Sequence, residues 1–331
     1  MDYYIALDVG GSKILGALFD AKGKIIETKK VKTYAARGTD FVYNQIKLVI
    51  DTLIEGRKKI KGIGVIVPGI VLNHDYVEFC PNVPFDHFPL GMLLREEYNM
   101  PVALGNDVSL AVYGEWKSYD RAVDHAVGLF VGTGVGGGLI LDGKLFVGKG
   151  GGAELGHMVL VAHGAGCGCG NEGCLEAYAG KAGLVRRLKA AQIRGRESML
   201  YDYLKSDGSM ITSEAFRVCY EAGDDLAIEL IDDASYYLGL AVSNFINILH
   251  PDIFIFGGGI MESLHPVMLP KIKAVAKNNA MPALGTDLEF TMSKLGDNAG
   301  IVGSFYQIYE LVNHAEINDR LWPRPDRTRR L

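Results

Sequence analysis

The sequence predicts an α/β protein with two similar domains that face a cleft. Two segments, residues 3–20 and 126–145, share one pattern: an apolar strand, a turn rich in glycine and a second apolar strand. Helical and strand-like patterns alternate between and after them. The chain has 331 residues, 48% of them hydrophobic, which is enough for two separate cores. We expect a smaller domain of residues 1–106 with about 304–331, and a larger domain of 107–303.

The remaining elements follow in α/β order. Residues 41–55 carry apolar side chains near helical spacing, and residues 60–71 form a buried strand that ends at a Pro-Gly pair. A helix is expected from Asp107 to Trp116, with Asn106 or Asp107 as its N-cap. Further patterns predict helices in 176–194 and 212–249 and a strand at 252–260, whose three glycines begin another helix.

Composition and charge argue against several classes of protein. The formal net charge of −5 disfavours a nucleic-acid partner, because neutralising phosphates requires a concentrated basic face. The longest uncharged apolar stretch, residues 126–141, contains six glycines and is too short for a membrane helix. No secretory signal precedes the first strand, so we expect a cytoplasmic protein. We interpret the C-terminal arginines as a solvated, frayed terminus; they are Arg320, Arg324, Arg327, Arg329 and Arg330.

Both glycine turns are candidate sites for the phosphates of a nucleotide triphosphate, because the backbone N–H groups of glycine can approach phosphate oxygens closely. In the first turn, Asp8 would orient Mg²⁺ through water and Ser12 would hydrogen-bond a phosphate. Each turn has a simpler interpretation as a tight hairpin that only requires glycine. The candidate nucleotide-binding residues are Asp8, Gly10, Gly11, Ser12, Lys13, Gly132, Thr133, Gly134 and Gly136, with Gly258 and Gly259 near the nucleoside.

The second turn also fits the pattern G-x-G-x-x-G, with glycines at 132, 134 and 137. A dinucleotide-binding fold requires these glycines to begin a helix. Here they are followed by LILDGKL, a strand-like run that ends in an Asp-Gly turn, so the sequence predicts a hairpin instead. The P-loop pattern G-x-x-x-x-G-K-[ST] does not occur in the chain.

Three thiols and an imidazole within one glycine-rich segment predict a metal site. His157, Cys167, Cys169 and Cys174 are the donor set of a closed tetrahedral zinc site, which leaves no position for a catalytic water. The zinc would therefore be structural. His163 competes for the nitrogen position, and an ordinary loop of reduced cysteines is the alternative interpretation. The other two cysteines, Cys80 and Cys219, are expected to be small buried hydrophobic residues.

Phosphoryl transfer to an alcohol requires a group that accepts the hydroxyl proton, and Asp107 at a strand-to-helix junction is our candidate base. The alternative is that Asn106 and Asp107 only cap the helix. Asp142 and Asp297 lie in turns and are weaker candidates. The polar side chains that would hold a sugar belong to Asn82, Asn106, Asp107, Glu154, His157 and Glu176.

These motifs together resemble the ROK family of sugar kinases and regulators, within the actin, Hsp70 and sugar-kinase superfamily, from residue 4 to about 306. The resemblance rests on DVGGSKILGAL, GNDVSLAVYGE, GTGVGGGLILDGKL, GGAELGH and CGCGNEGCLE. It implies two actin-like, ribonuclease H-like domains and ATP-dependent phosphorylation of a hexose or hexosamine at the 6-hydroxyl. Asp107 would be the base, with Glu154, His157 and Glu176 near C1 and C2 of the sugar. It also implies a homodimer or homotetramer.

The family includes several functions, and glucose is our first choice of substrate because GNEGCLE resembles the glucokinase branch. N-acetylmannosamine and N-acetylglucosamine are alternatives, and the segment 82–88 departs from the family by lacking tryptophan. Regulators of this family carry a DNA-binding module before the first phosphate turn. Such a module needs tens of residues, whereas seven precede Asp8, so we expect a kinase rather than a repressor.

Overall fold

The structure, a computed structural model, describes residues 1–57, 59–204, 211–285 and 288–313. The C-terminal arginines discussed above lie outside these residues. The chain divides into two compact units. The first unit comprises Met1–Asp120, Leu145–Ala153 and the described residues from Asp297 onward, and the second comprises Arg121–Lys144 and Glu154–Gly296.

Strands and helices alternate along both units, as the sequence predicts. The strands are β1 (Tyr3–Val9), β2 (Lys13–Asp20), β3 (Ile25–Lys32), β4 (Ile60–Val67), β5 (Ile70–Leu72), β6 (Tyr76–Phe79), β7 (Asp86–Phe88), β8 (Val102–Asn106), β9 (Ala126–Val131), β10 (Val135–Leu141), β11 (Lys144–Phe146), β12 (Ile253–Gly257) and β13 (Glu289–Met292). The helices are α1 (Thr39–Ile54), α2 (Leu90–Tyr98), α3 (Asp107–Lys117), α4 (Leu175–Ala179), α5 (Lys181–Ile193), α6 (Ser213–Glu221), α7 (Asp225–Leu249), α8 (Gly259–Asn279) and α9 (Ala299–Asn313).

The two large sheets repeat one topology. Their strand orders are β3-β2-β1-β4-β8 and β11-β10-β9-β12-β13. In each sheet the first hairpin is antiparallel, and the two later strands run parallel to the first strand of that hairpin. The duplication that the two glycine hairpins indicated is therefore a duplication of the whole sheet. The strands β5, β6 and β7 form a separate small sheet.

The strand β1 is buried on both faces because helices cover the sheet of the first unit from either side. Alternate side chains such as Ile5 and Leu7 pack into a cluster with the apolar face of α1. Tyr4 on the opposite face packs against Phe305 of α9, which also stacks on Phe19 with ring centroids 4.7 Å apart. A strand covered on both faces needs a continuous apolar run, as β1 has.

The boundary of the first unit differs from the expected one. We placed residues 107–303 in the second domain, but α3 lies in the first unit because it packs against α9. The two helices approach through glycine: a Cβ at Gly114 would lie 2.3 Å from the carbonyl oxygen of Ala299. A Cβ at Gly303 would lie 1.8 Å from the carbonyl oxygen of Leu110. Contacts between helices so far apart in sequence leave no local signal at residue 106.

Among the described residues, the helices are all too short or too polar to cross a membrane.

Substituting Gly303 by alanine should destabilise the first unit. A methyl group there meets backbone atoms of α3 that cannot rotate away, so we expect the free energy of unfolding to fall by about 3 kcal/mol. Gly285→Ala is the matched control, because Gly285 has a φ of −93° and an added Cβ would have nothing within 4 Å. Denaturant unfolding measures both. Equal stability of the two variants would contradict the close crossing of α3 and α9.

Candidate active site

The first glycine turn joins β1 to β2 and is closed by a hydrogen bond from the Gly10 N–H to the carbonyl oxygen of Lys13, 3.0 Å long. Gly11 lies directly against Asn82, since an added Cβ would be 2.6 Å from the Asn82 carbonyl oxygen. Glycine at this position is therefore required by contact with the Asn82 backbone. Ser12 and Lys13 are exposed at the tip of the turn.

Thr33, which the sequence did not indicate, holds this turn from the end of β3. Its hydroxyl donates to the Gly10 carbonyl oxygen at 2.5 Å, and its backbone N–H donates to the Ser12 carbonyl oxygen at 3.1 Å. The side chain is fully buried. A buried hydroxyl that satisfies a turn carbonyl fixes the conformation of that turn, because breaking the bond would leave the carbonyl unpaired. Thr33 is a positioning residue for the first turn.

Asp8 occupies an environment that suits a cation. Burial raises the pKa of the Asp8 carboxyl, the nearby Lys13 ammonium opposes that shift, and the negative charge of Asp297 adds to it. Two carboxylates that repel one another in a partly desolvated position are stabilised by a divalent cation. The charge of Asp297, which we set aside as a base, thus acts on the Asp8 carboxyl within the same unit.

Asn106, and not Asp107, is the N-cap of α3. Its side-chain oxygen accepts hydrogen bonds from the N–H groups of Val108 and Ser109, both 3.0 Å long. Its amide nitrogen donates to the carbonyl oxygen of Gly69 at 3.1 Å. Asp107 is the first helical residue, and its Oδ1 accepts from the Val108 N–H at 2.9 Å. The capping role is filled by Asn106, so the helix does not need Asp107 for it.

Cys80 is a buried thiol of the first unit, two residues before the candidate residue Asn82. Its Sγ donates to the Pro68 carbonyl oxygen at 3.3 Å. Burial raises the pKa of the Cys80 thiol, hydrogen bonds with the backbone of Asn82 and Val83 oppose the shift, and the charge of Asp107 adds to it. The backbone of Asn82 therefore lies beside the buried sulfur, and the charge of Asp107 acts on the same thiol. The expected burial of Cys80 is confirmed, as is that of Cys219 in the second unit.

The second glycine turn joins β9 to β10 and is hydrogen-bonded to the start of α5. The N–H groups of Lys181 and Ala182 donate to the carbonyl oxygens of Gly132 and Thr133, at 3.0 and 2.9 Å. A Cβ at Gly134 would lie 2.1 Å from Oε2 of Glu176, so this position also excludes a side chain. Gly136, predicted as part of the turn, lies in β10 and pairs with Phe130.

The three glycines at the junction of β12 and α8 bring a further backbone segment to this turn. Gly258 has a φ of +82°, and a Cβ there would be 2.7 Å from the carbonyl oxygen of Val131, which directly precedes the turn. The helix α8 begins at Gly259, as predicted. Gly258 is therefore required both by its left-handed backbone and by this contact.

The predicted zinc ligands come together in the second unit. The donor atoms of His157, Cys167, Cys169 and Cys174 all lie within 4.8 Å of one another. The closest pairs are His157 Nδ1 to Cys167 Sγ at 3.7 Å and Cys169 Sγ to Cys174 Sγ at 3.8 Å. One imidazole and three thiols in this arrangement fit the donor set of a structural zinc ion. His163, the rival ligand, is not in the cluster.

Two carboxylates lie beside this cluster. Oε1 of Glu176 is 3.5 Å from Cys167 Sγ. Loss of solvent raises the pKa of Glu154, the charge of His157 opposes that shift, and the charge of Glu176 adds to it. The two glutamates are therefore close enough to influence each other, as the spacing around the metal loop predicted. Glu154 also begins the 3₁₀ turn Leu155–His157, which ends at the histidine ligand.

The structure thus places the candidate residues in two groups, one in each unit. The first unit holds Asp8, Gly10, Gly11, Ser12, Lys13, Asn82, Asn106 and Asp107, and the second holds Gly132, Thr133, Gly134, Gly136, Glu154, His157, Cys167, Cys169, Cys174, Glu176, Gly258 and Gly259.

Comparison with known proteins identifies the family. The family model described as "ROK family" matches residues 4–310. This chain belongs to the ROK family. Its ROK relatives include a glucokinase of Halalkalibacterium halodurans, 31% identical over 323 residues that cover 95% of this chain and 97% of that protein. A xylose repressor of Bacillus spizizenii is 29% identical over 309 residues, which cover 91% of this chain and 75% of the repressor.

A solved structure of the family agrees with the fold. The ROK family glucokinase from Streptomyces griseus, in complex with glucose and AMPPNP, matches with a TM-score of 0.72 and 28% identity, over 91% of this chain and 97% of that one. The expected actin-like α/β fold is confirmed.

Replacing Thr33 with valine should loosen the first turn while keeping the side-chain volume. The Gly10 carbonyl loses its partner, so we expect the KM for ATP to rise about tenfold, equivalent to about 1.4 kcal/mol. The KM for the sugar should not change. Thr33→Ser keeps the hydroxyl and should behave like the wild type. Steady-state kinetics with each substrate varied in turn tests this, and equal nucleotide KM values for Val and Ser variants would refute it.

Replacing Asp8 with asparagine should stabilise the Mg²⁺-free protein at pH 7. The pKa of Asp8 in the folded protein lies above its usual 3.8. Between pH 3.8 and the folded pKa, the native state therefore binds more protons than the unfolded state. Wild-type stability therefore falls as pH rises through the folded pKa. The advantage of the Asp8→Asn variant should shrink as pH falls towards 3.8, and Mg²⁺ should stabilise only the wild type. Thermal unfolding at several pH values measures this, and a less stable variant at pH 7 would contradict it.

Proposed function

We propose that this protein is an ATP-dependent hexose kinase that transfers the γ-phosphate of ATP to the 6-hydroxyl of glucose or a related hexose. The observation that carries the proposal is the repeated glycine turn. Two sheets of the same strand order each place a glycine-rich turn after their first strand, where backbone N–H groups can meet phosphate. The similarity to glucokinases over nearly the whole chain supports the same conclusion.

In the first unit, Asp107 is the proposed general base. It follows β8 and begins α3, while Asn106 satisfies the helix terminus. The carboxylate would accept the proton of the sugar hydroxyl as the oxygen attacks the γ-phosphate. Asn82, whose backbone lies beside the buried Cys80 thiol, would orient the sugar. The amide of Asn106 is used by α3 and Gly69, so we assign it mainly to holding Asp107 in place.

The first turn would bind phosphate, and Asp8 with Asp297 would hold Mg²⁺. Their mutual repulsion fits a site for a hard cation, which supplies positive charge next to the phosphates. Lys13 would add a further positive charge at the tip of the turn. The N–H groups of the turn, Lys13 and a Mg²⁺ ion held by the carboxylates would each stabilise negative charge on the phosphates during transfer, and that is the main way such enzymes lower the barrier.

In the second unit, the residues 132–134 would bind phosphate, and Gly258 and Gly259 would lie near the nucleoside. Glu154, His157 and Glu176 are the proposed contacts to the C1 and C2 side of the sugar. Zinc, when bound to His157, Cys167, Cys169 and Cys174, would be a closed structural centre that orders their loop. The neighbouring glutamates then face the substrate with fewer conformations to lose on binding.

We propose glucose as the preferred sugar. N-acetylmannosamine and N-acetylglucosamine are alternatives, because the volume of the sugar pocket decides whether an extra acyl group is accepted. A second candidate function is a sugar-sensing regulator without catalysis, which the similarity to a xylose repressor favours. The presence of Asp107 with a separate capping residue argues for the kinase. A homodimer or homotetramer, a cytoplasmic location and the lack of a nucleic-acid partner stay predictions.

Replacing Asp107 with asparagine should reduce ADP production by about a hundred- to ten-thousandfold, the usual contribution of a general base. Sugar binding should remain measurable by calorimetry, because the amide keeps the shape of the carboxyl group. Asp142→Asn is the matched control: Asp142 lies in an exposed Asp-Gly turn with a φ of +51°, which asparagine tolerates.

A coupled ADP assay with ATP, Mg²⁺ and a panel of hexoses and N-acetylhexosamines tests the variants and the substrate together. Full activity of the Asp107 variant would remove this residue from the mechanism. Sugar binding without ADP production by the wild type, for every sugar, would favour the regulator.

A further inference from the structure

Val135, the residue that follows the second glycine turn, is held on both sides of its backbone by the metal loop. Its N–H donates to Oε2 of Glu176 at 3.0 Å. On its carbonyl side it lies against Gly156, where an added Cβ would be 1.8 Å from the Val135 oxygen. Gly156 directly precedes the ligand His157, and Glu176 follows the ligand Cys174 by two residues. Two independent contacts therefore join the ligand cluster to one residue of the turn.

The chain that follows Cys174 also contacts the turn itself. Cys174 is the N-cap of α4, Glu176 lies in the first turn of that helix, and α5 begins directly after Gly180. The first two N–H groups of α5 donate hydrogen bonds to carbonyl oxygens of the turn. A Cβ added at Gly180 would be 3.1 Å from the Cα of Gly134. The position of α4 thus decides whether the turn keeps its hydrogen bonds.

The loop that carries the cluster is crossed by backbone hydrogen bonds, such as Cys167 N–H to the Asn171 carbonyl oxygen at 2.8 Å, but side chains pack loosely around its tip. Five glycines separate its ligands, namely Gly164, Gly166, Gly168, Gly170 and Gly173. Gly166, Gly168 and Gly170 have nothing within 4 Å of an added Cβ, so little packing restrains them. A glycine-rich segment loses much conformational entropy when it is ordered, and bound metal supplies free energy for that ordering.

We propose that Glu176 is a positioning residue that transmits the ordering of the ligand cluster to the second phosphate turn, so that zinc loading sets the affinity for nucleotide. The inference rests on the proposed function, because it assigns nucleotide phosphates to this turn. Zinc fixes Cys174 at the start of α4 and His157 beside Gly156. The carboxylate of Glu176 then meets the Val135 N–H, and the turn holds its N–H groups ready for phosphate. Without zinc, both contacts to Val135 loosen.

This role is separable from contact with sugar. Coupling needs a side-chain oxygen at position 176 that accepts the hydrogen bond from the Val135 N–H. Glutamine provides such an oxygen, and alanine does not. Contact between sugar hydroxyls and the carboxylate depends on its charge, which both substitutions remove. Glu176→Gln should therefore keep nucleotide affinity even where it weakens sugar binding, whereas Glu176→Ala should lose nucleotide affinity. Glu172→Ala is the matched control, because Glu172 is an exposed glutamate of the same loop.

The first experiment measures amide hydrogen exchange of residues 132–136 without nucleotide. The zinc content of each protein is determined first, with about one ion per chain expected, and samples are compared before and after treatment with a zinc chelator. Chelation should speed exchange in the turn of the wild type by about tenfold, the effect of losing one hydrogen bond to a charged group. Glu176→Ala should exchange fast in either state, while Glu176→Gln and Glu172→Ala should follow the wild type.

The second experiment measures the affinity for AMPPNP with Mg²⁺ by calorimetry. Zinc removal should weaken AMPPNP binding about tenfold in the wild type. It should weaken binding by Glu176→Ala little further, because this variant has already lost the contact between Glu176 and the Val135 N–H. Unchanged exchange in residues 132–136 after chelation, while exchange in 157–174 rises, would overturn the coupling without any variant. So would a protein that takes up no zinc.

The two proposals fail differently. If no form of the protein binds AMPPNP, the proposed kinase function falls, and the exchange data on residues 132–136 still decide the coupling. If Glu176→Ala and Glu172→Ala bind AMPPNP with the same affinity and show the same amide hydrogen exchange in residues 132–136, the coupling is wrong while the kinase function stands.

Discussion

Close approach between backbone segments at glycine is the constraint on which the candidate site depends. In the first unit, Gly11 leaves room for the backbone of Asn82, and in the second, Gly134 leaves room for the carboxylate of Glu176. A methyl group at either position would overlap those atoms. Glycine is therefore required at both positions because a neighbouring protein segment occupies the space beside the turn, and the same lack of a side chain leaves N–H groups open to the phosphate that we propose there.

The supports of the two turns differ although the sheets share one topology. A buried threonine hydroxyl from the adjacent strand holds the first turn, and this support involves no metal ligand. The second turn is held by α4 and α5, which follow the last thiol of the ligand cluster. In this duplicated architecture, a residue next to β3 of the same sheet supports the first turn, whereas helices that follow the metal loop support the second turn.

Local patterns in the sequence predicted most strands and helices. The features that they did not predict depend on contacts between residues far apart in the chain. The two hairpins, the start of α3 and the helix after the triple glycine depend on glycine and on apolar periodicity within a few residues, so they could be predicted. Thr33 bonds a carbonyl 23 positions away, and Glu176 accepts from an N–H 41 positions away, so neither role has a local signal. The place of α3 in the first unit depends on a helix nearly two hundred residues later, and the break at Gly180 between α4 and α5 was also not predicted.

The helix α9 has a consequence for how the chain acquires its structure during synthesis. Phe305 covers the face of the first sheet that carries Tyr4 and Phe19, while the second unit is complete at Gly296. A growing chain therefore exposes an aromatic surface on its earliest sheet until α9 has been synthesised. The unit that is begun first is completed after the second unit, so this surface stays open to association with other apolar surfaces during most of translation.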